Sequence, residues 1–176
     1  TPTLTGFSQY QWRAQSLHGK LFLAYNTDQD RLHVWDGTTL RRAGLAEPSA
    51  PTGANDGGTG TFSGTRYYRV RYTEVSSGVI LRRSEPSETL TFAPNGNDTG
   101  ITVTKPAAIN EGETHWELEG SSDNANFYVI ASTVVGTTTY TDTTSIVTGY
   151  AQSYDLSEDI GDYALIPSGK FVVALP

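Results

Sequence analysis

Glu117 and Glu119 stand two apart in His115-Trp-Glu-Leu-Glu119, so on an extended strand both carboxylates face one way and Trp116 and Leu118 the other. Paired carboxylates near an aromatic platform are the raw material of glycoside hydrolysis. That reaction needs an acid and a nucleophile facing each other across a cleft, and neighbours on one open strand do not. The pattern reads instead as a solvated outer face over a buried Trp116. Asn26, Asp28 and Asp30 have the spacing that opens a calcium loop, but Arg31 falls where the loop takes glycine and Gly37 where it takes a bidentate acid. A polar hairpin turn is the first reading there, with calcium second. His18, His33 and His115 are scattered and form no zinc pattern. Gly60-Thr-Phe-Ser-Gly64 misses the spacing of a serine-nucleophile elbow, and Gly58-Thr-Gly60 lacks the lysine and the helix of a phosphate loop. No catalytic residue, metal or cofactor is expected.

The basic residues are concentrated. Arg66, Arg69, Arg71, Arg82 and Arg83 make up five of the 12 Lys and Arg side chains and fall in one expected hairpin. Arg69 and Arg71 share a face, and Arg82 is expected across from one of them. Such a patch suits a subunit interface, where arginine is enriched. The plainer reading pairs it across strands with Glu74, Glu85 and Glu88. Nucleic acid is disfavoured, because 19 acidic against 12 basic residues leave a net charge of −7. The same charge argues against docking on an anionic membrane, and no apolar run approaches the roughly 20 residues of a span.

The elements that hold these residues are strands. The chain of 176 residues carries 25 Thr, 10 Tyr and 18 Gly, pleated-surface formers punctuated by turn residues. It has no cysteine, which removes thiol chemistry and disulfides. It also has no methionine and opens Thr1-Pro2-Thr3, as expected of a processed chain or a piece of a longer one. No helical periodicity persists for three turns; the best helical stretch, around Leu156 to Tyr163, is weakened by Gly161.

In residues 1–45, Lys20 to Tyr25 and Arg31 to Trp35 read as a hairpin, followed through Asp36-Gly37 by a strand at Thr38 to Arg42. Residues 46–64, rich in Pro and Gly, read as a linker. In residues 65–145, Tyr68, Val70 and Tyr72 form one face of a strand at Arg66 to Thr73. Ser77-Gly78 turns it into Val79 to Arg83. Further strands are expected at Thr89 to Phe92, Ile101 to Thr104, His115 to Glu119, Phe127 to Ser132 and Thr138 to Thr141. Short strands at near-regular spacing indicate a sandwich or a barrel, with an antiparallel β-sandwich the first reading. Residues 146–176 read as an extension returning to the flanking β domain, with an apolar strand at Lys170 to Leu175. That strand and Tyr10 to Leu17 are the segments expected to be completed by a neighbour or by further polypeptide.

The stretches Tyr67-Tyr-Arg-Val-Arg-Tyr72, Arg83-Ser-Glu-Pro-Ser87, His115-Trp-Glu-Leu-Glu-Gly-Ser121, Phe127-Tyr-Val-Ile-Ala131 and Thr139-Tyr-Thr-Asp142 resemble those of fibronectin type III (Ig-like) modules. The order differs: a segment like Tyr67 to Ser87 ordinarily closes such a module, and here it comes first. This permuted order resembles sandwich modules of tailed-bacteriophage tail and neck proteins. Leu21 to Gly37 and Arg42 to Pro48 resemble a flanking β-propeller-like blade. The resemblance implies an all-β, Ig/fibronectin III-like sandwich with extra hairpin segments at both ends. It also implies a non-enzymatic structural virion protein that forms homo-oligomers and binds other virion proteins. In that setting the glycosylation sequon Asn97-Asp-Thr99 goes unused. The rival reading is a carbohydrate-binding or adhesion module of a secreted or cell-surface bacterial protein, with Tyr67, Tyr128, Tyr150 and Tyr154 offering rings to a glycan.

Overall fold

A computed structural model describes residues 12–17, 19–25, 32–144, 151–152, 162–165 and 171–174. The turn with Asn26, Asp28 and Asp30, together with His18, Tyr150, Tyr154 and most of the Leu156 to Tyr163 stretch, lies outside the described residues. In chain order the strands are β1 (Trp12–Leu17), β2 (Lys20–Tyr25), β3 (His33–Trp35), β4 (Leu40–Arg42), β5 (Thr52–Asn55), β6 (Arg66–Ser76), β7 (Val79–Arg83), β8 (Leu90–Phe92), β9 (Ile101–Thr104), β10 (His115–Ser121), β11 (Tyr128–Val134), β12 (Thr139–Asp142), β13 (Ala151–Gln152), β14 (Asp162–Leu165) and β15 (Phe171–Ala174). All described pairings are antiparallel, and no helix occurs among the described residues. The protein is all-β.

The chain divides into two compact units, residues 1–45 with 157–176, and residues 46–156. In the first, β1 to β4 form a meander in sequence order, and β14 pairs with β15. Leu32 and Val34 are its buried apolar side chains on the approach to and within β3. At the turn after β3, Asp36 accepts hydrogen bonds from the backbone N–H groups of Thr38 and Thr39 (3.0 and 2.8 Å), which hold its carboxyl below the usual carboxylate range.

The second unit is a sandwich. One sheet has the order β13-β11-β10-β6-β7, with β8 also paired to β6; the other has the order β12-β9-β5. Alternation along β6 and β10 sends Tyr68, Val70, Tyr72, Trp116 and Leu118 to one face, all fully buried. Ile101 and Val103 of β9 are equally buried in the smaller sheet. Each such apolar side chain contributes about 1.5–3 kcal/mol on burial. The polar ends of the large aromatics find partners: the Trp116 indole N–H donates to the Thr137 carbonyl (2.8 Å) and the Tyr72 hydroxyl to that of Pro106 (2.7 Å). The hairpin between β6 and β7 turns through Ser77 and Gly78, both at positive φ (50° and 78°), as a tight type I′ turn requires.

The segment 46–64 differs from a linker. It contains β5, which pairs with β9, and three further backbone hydrogen bonds tie Asp56, Gly60 and Phe62 to residues 97–100. Its glycines serve close approach rather than looseness. A Cβ on Gly60 would come within 2.8 Å of the Asp98 carbonyl oxygen, and one on Gly53 within 3.0 Å of the Phe92 ring. Composition alone does not separate a flexible glycine from one on which another segment packs.

Candidate interaction surface

The five arginines do not form a free outer patch. Arg66, Arg69, Arg71 and Arg82 are buried, and Arg83 is partly so. Glu117 and Glu119 are buried as well, correcting the expectation of a solvated face. The cause is register. β10 pairs with β6 so that Glu119 lies opposite Arg69 and Glu117 opposite Arg71. Glu119 thereby meets two guanidinium groups of the central strand, while Glu117 pairs with Arg83 of β7.

Glu119 is the centre of this arrangement. Its Oε1 accepts from Arg71 Nε (2.8 Å) and its Oε2 from Arg69 Nε. The Arg69 guanidinium also stacks on Phe127, 4.0 Å from the ring centroid. Arg71 reaches the Ser84 carbonyl (3.0 Å), and Arg83 Nη2 donates to Glu117 Oε1 (2.8 Å). On the opposite face Arg82 pairs with Glu74 and donates to the Glu111 carbonyl (2.6 Å). Arg83, rather than Arg82, therefore shares a face with Arg69 and Arg71. Of the carboxylates expected to pair with the arginines, Glu74 does so, with Arg82; Glu117 pairs with Arg83, and Glu119 with Arg69 and Arg71. Glu119 is thus engaged on both oxygens and Glu117 on Oε1.

The Arg83-Ser-Glu-Pro-Ser87 motif acquires a physical role. Pro86 lacks an N–H, and the edge beyond β7 continues through two serines instead of a regular ladder. Ser84 N–H donates to the Tyr72 carbonyl while Ser84 Oγ accepts from Tyr72 N–H, both at 2.9 Å. Ser87 repeats the exchange with Val70, again at 2.9 Å for both bonds. The two hydroxyls stand in for strand carbonyls along the β6 edge. They bridge the gap between β7 and β8.

Within the sandwich unit, three exposed apolar side chains lie farther along that edge. Val79, Ile80 and Leu81 are 60%, 44% and 53% exposed, and Val134 at the end of β11 is 53% exposed. From Val75 to Leu81 the hairpin carries no charge. β7 ends the described strand order of its sheet, so among the described residues its outer backbone edge has no strand beside it. Natural edges of this kind ordinarily carry lysine, proline or a cover.

The tyrosines of the glycan reading separate. The register places Tyr67 opposite Ser121 and Tyr128 opposite Gly120, positions on opposite faces of the same sheet. Asn97, in the glycosylation sequon, is exposed in the loop before β9. Among the described residues no group of three or more His, Asp or Glu side chains is placed to hold a metal ion, and no helix is long and apolar enough to cross a membrane. His33 lies on β3 and His115 on β10, the latter with its Nδ1 at 2.9 Å from Thr114 Oγ1. Fold and surface together define an all-β protein with an antiparallel sandwich and an uncharged apolar edge. No protein-family model, curated protein or solved structure matches the chain.

Proposed function

We propose that the chain is a non-enzymatic structural protein of a tailed-phage virion, in the tail, neck or a ring, acting through contacts with copies of itself and with other virion proteins. The observation that carries the assembly role is the β7 edge, where three consecutive apolar side chains are exposed on an uncharged hairpin. A strand laid beside β7 would satisfy its backbone groups and cover Val79, Ile80 and Leu81, which is recognition by strand addition. The buried arginine–glutamate network supports the reading from the other side. It ties together the strands of the sheet that presents the edge and engages both oxygens of Glu119. The virion setting rests on the resemblance of residues 65–144 to sandwich modules of tail and neck proteins.

The adhesion reading has less support, because Tyr67 and Tyr128 do not share a face. Fractionation of particles from the source culture on a density gradient, with tryptic peptide mapping of each fraction, tests the proposal. Peptides of this chain banding with particles are expected. Peptides confined to the soluble secreted fraction would favour adhesion instead.

A further inference from the structure

Four buried side-chain polar atoms without a hydrogen-bond partner lie at neighbouring positions: Thr73 Oγ1, Arg83 Nε, Glu85 Oε1 and Glu117 Oε2. Thr73 pairs directly with Arg83 across β6 and β7, so both side chains stand on the same face. On its other side Thr73 pairs with His115, two residues before Glu117. The Arg83–Glu117 ion pair therefore reaches from β7 to β10 across the central strand, a span of roughly 10 Å at ordinary strand spacing. It roofs the position of Thr73, which has no exposed surface. Glu85 follows Arg83 by two residues along the same edge.

We infer that this roofed position binds an ordered water molecule, held by Thr73, Arg83 and Glu117 and by Glu85 at its margin. The atoms supply the complement that water needs: an N–H to donate to it, a hydroxyl, and carboxylate oxygens to accept its two protons. A buried water typically makes about three hydrogen bonds to groups that would otherwise go unsatisfied. Charge selects a neutral occupant over a cation, since Arg69, Arg71 and Arg83 stand against Glu85, Glu117 and Glu119. The water joins the base of the β7 hairpin to the central strands, so the apolar arm is braced where it leaves the sheet. This inference does not depend on the virion reading.

A crystal structure at 1.5 Å or better tests it. The expected result is a solvent peak within hydrogen-bonding distance of Thr73 Oγ1, Glu117 Oε2 and Arg83 Nε. Direct bonds among those groups with no solvent peak would overturn it. Urea unfolding of Thr73→Val and Thr73→Ser gives a second readout. Loss of one bond to the water lowers the folding equilibrium constant about fivefold in Thr73→Val, while Thr73→Ser keeps both the peak and the hydroxyl's contribution. A Thr73→Val protein as stable as the parent would contradict the site. Should Thr73→Val fail to fold, the crystal structure of Thr73→Ser decides alone.

Discussion

The Tyr68 hydroxyl, on β6, donates a 2.6 Å hydrogen bond to Asp142 Oδ2 at the end of β12, joining residues 74 apart and the two sheets of the sandwich. Asp142 also receives the Thr144 N–H (2.9 Å) on its other oxygen, so its buried carboxylate is held from both sides. Burial, and then the Asp142 charge, push the Tyr68 hydroxyl well above the ordinary tyrosine range. Removing it in Tyr68→Phe leaves that carboxylate oxygen without its partner and should cost about 2 kcal/mol, as for a hydrogen bond to a charged group. The pH dependence follows from the raised value. The stabilisation is complete below about pH 10, where unfolded tyrosine is neutral, and is lost as pH rises further. Urea unfolding from pH 7 to pH 11 should show that alkaline loss reduced in Tyr68→Phe.

Acid acts on a different residue. Asp123, in the turn between β10 and β11, accepts hydrogen bonds from the backbone N–H of Asn126 and its side-chain amide, both at 2.8 Å. It also accepts the Ala125 N–H and the Ser121 hydroxyl at 2.9 Å. These bonds, those from Asn126 foremost, hold its carboxyl far below 3.8. A depressed carboxylate stabilises the fold above its unfolded value, and that stabilisation disappears as pH falls through the folded one. Asp123→Ala should therefore melt below the parent at pH 7, with the gap narrowing below about pH 4. Melting temperatures from pH 7 to pH 2 measure it.

Glu119 should be the most sensitive charged position. Glu119→Ala leaves two buried guanidinium groups without their shared acceptor and should destabilise by about 3–5 kcal/mol. Replacing Arg69, Arg71 and Glu119 together by apolar residues of similar volume should cost far less, because it also removes the desolvation of all three charges. Chemical denaturation of both variants distinguishes a network that stabilises from one whose parts merely depend on each other.

The serine clamps give a local test. Ser84→Ala and Ser87→Ala should each cost about 1 kcal/mol, since each leaves a β6 N–H without its acceptor. Amide exchange should then rise at Tyr72 in the first variant and at Val70 in the second.

The core strands of the sandwich were legible because period-two alternation survives in the residues themselves: Tyr68, Val70 and Tyr72 face the core, and Ser77-Gly78 forms the expected turn. Trp116 was legible for the same reason. The polar face was not. Arg69, Arg71, Glu117 and Glu119 look solvent-facing one strand at a time, and only the registers of β10 and β7 on β6 bring Glu119 to Arg69 and Arg71, and Glu117 to Arg83. Pairing partners distant in sequence carry no local signal. Likewise β5 is hidden in Thr52-Gly-Ala-Asn55, which has almost no side-chain pattern; its pairing with β9 and the approach of Phe92 to Gly53 make it a strand. The Arg83-Ser-Glu-Pro-Ser87 motif was visible, but the exchange its hydroxyls make with Tyr72 and Val70 was not.

The β7 edge carries the functional proposal, and particle incorporation tests it most directly. Ile80→Lys with Leu81→Lys changes two exposed side chains and should alter stability by no more than about 0.5 kcal/mol per site. Parent and variant chains would be supplied separately to assembling particles, the particles banded on a density gradient, and each chain quantified in the particle fraction. The parent is expected in the particle band, with the folded variant left in the soluble fractions. Equal incorporation of both chains, or exclusion of the parent, would contradict assembly through this edge.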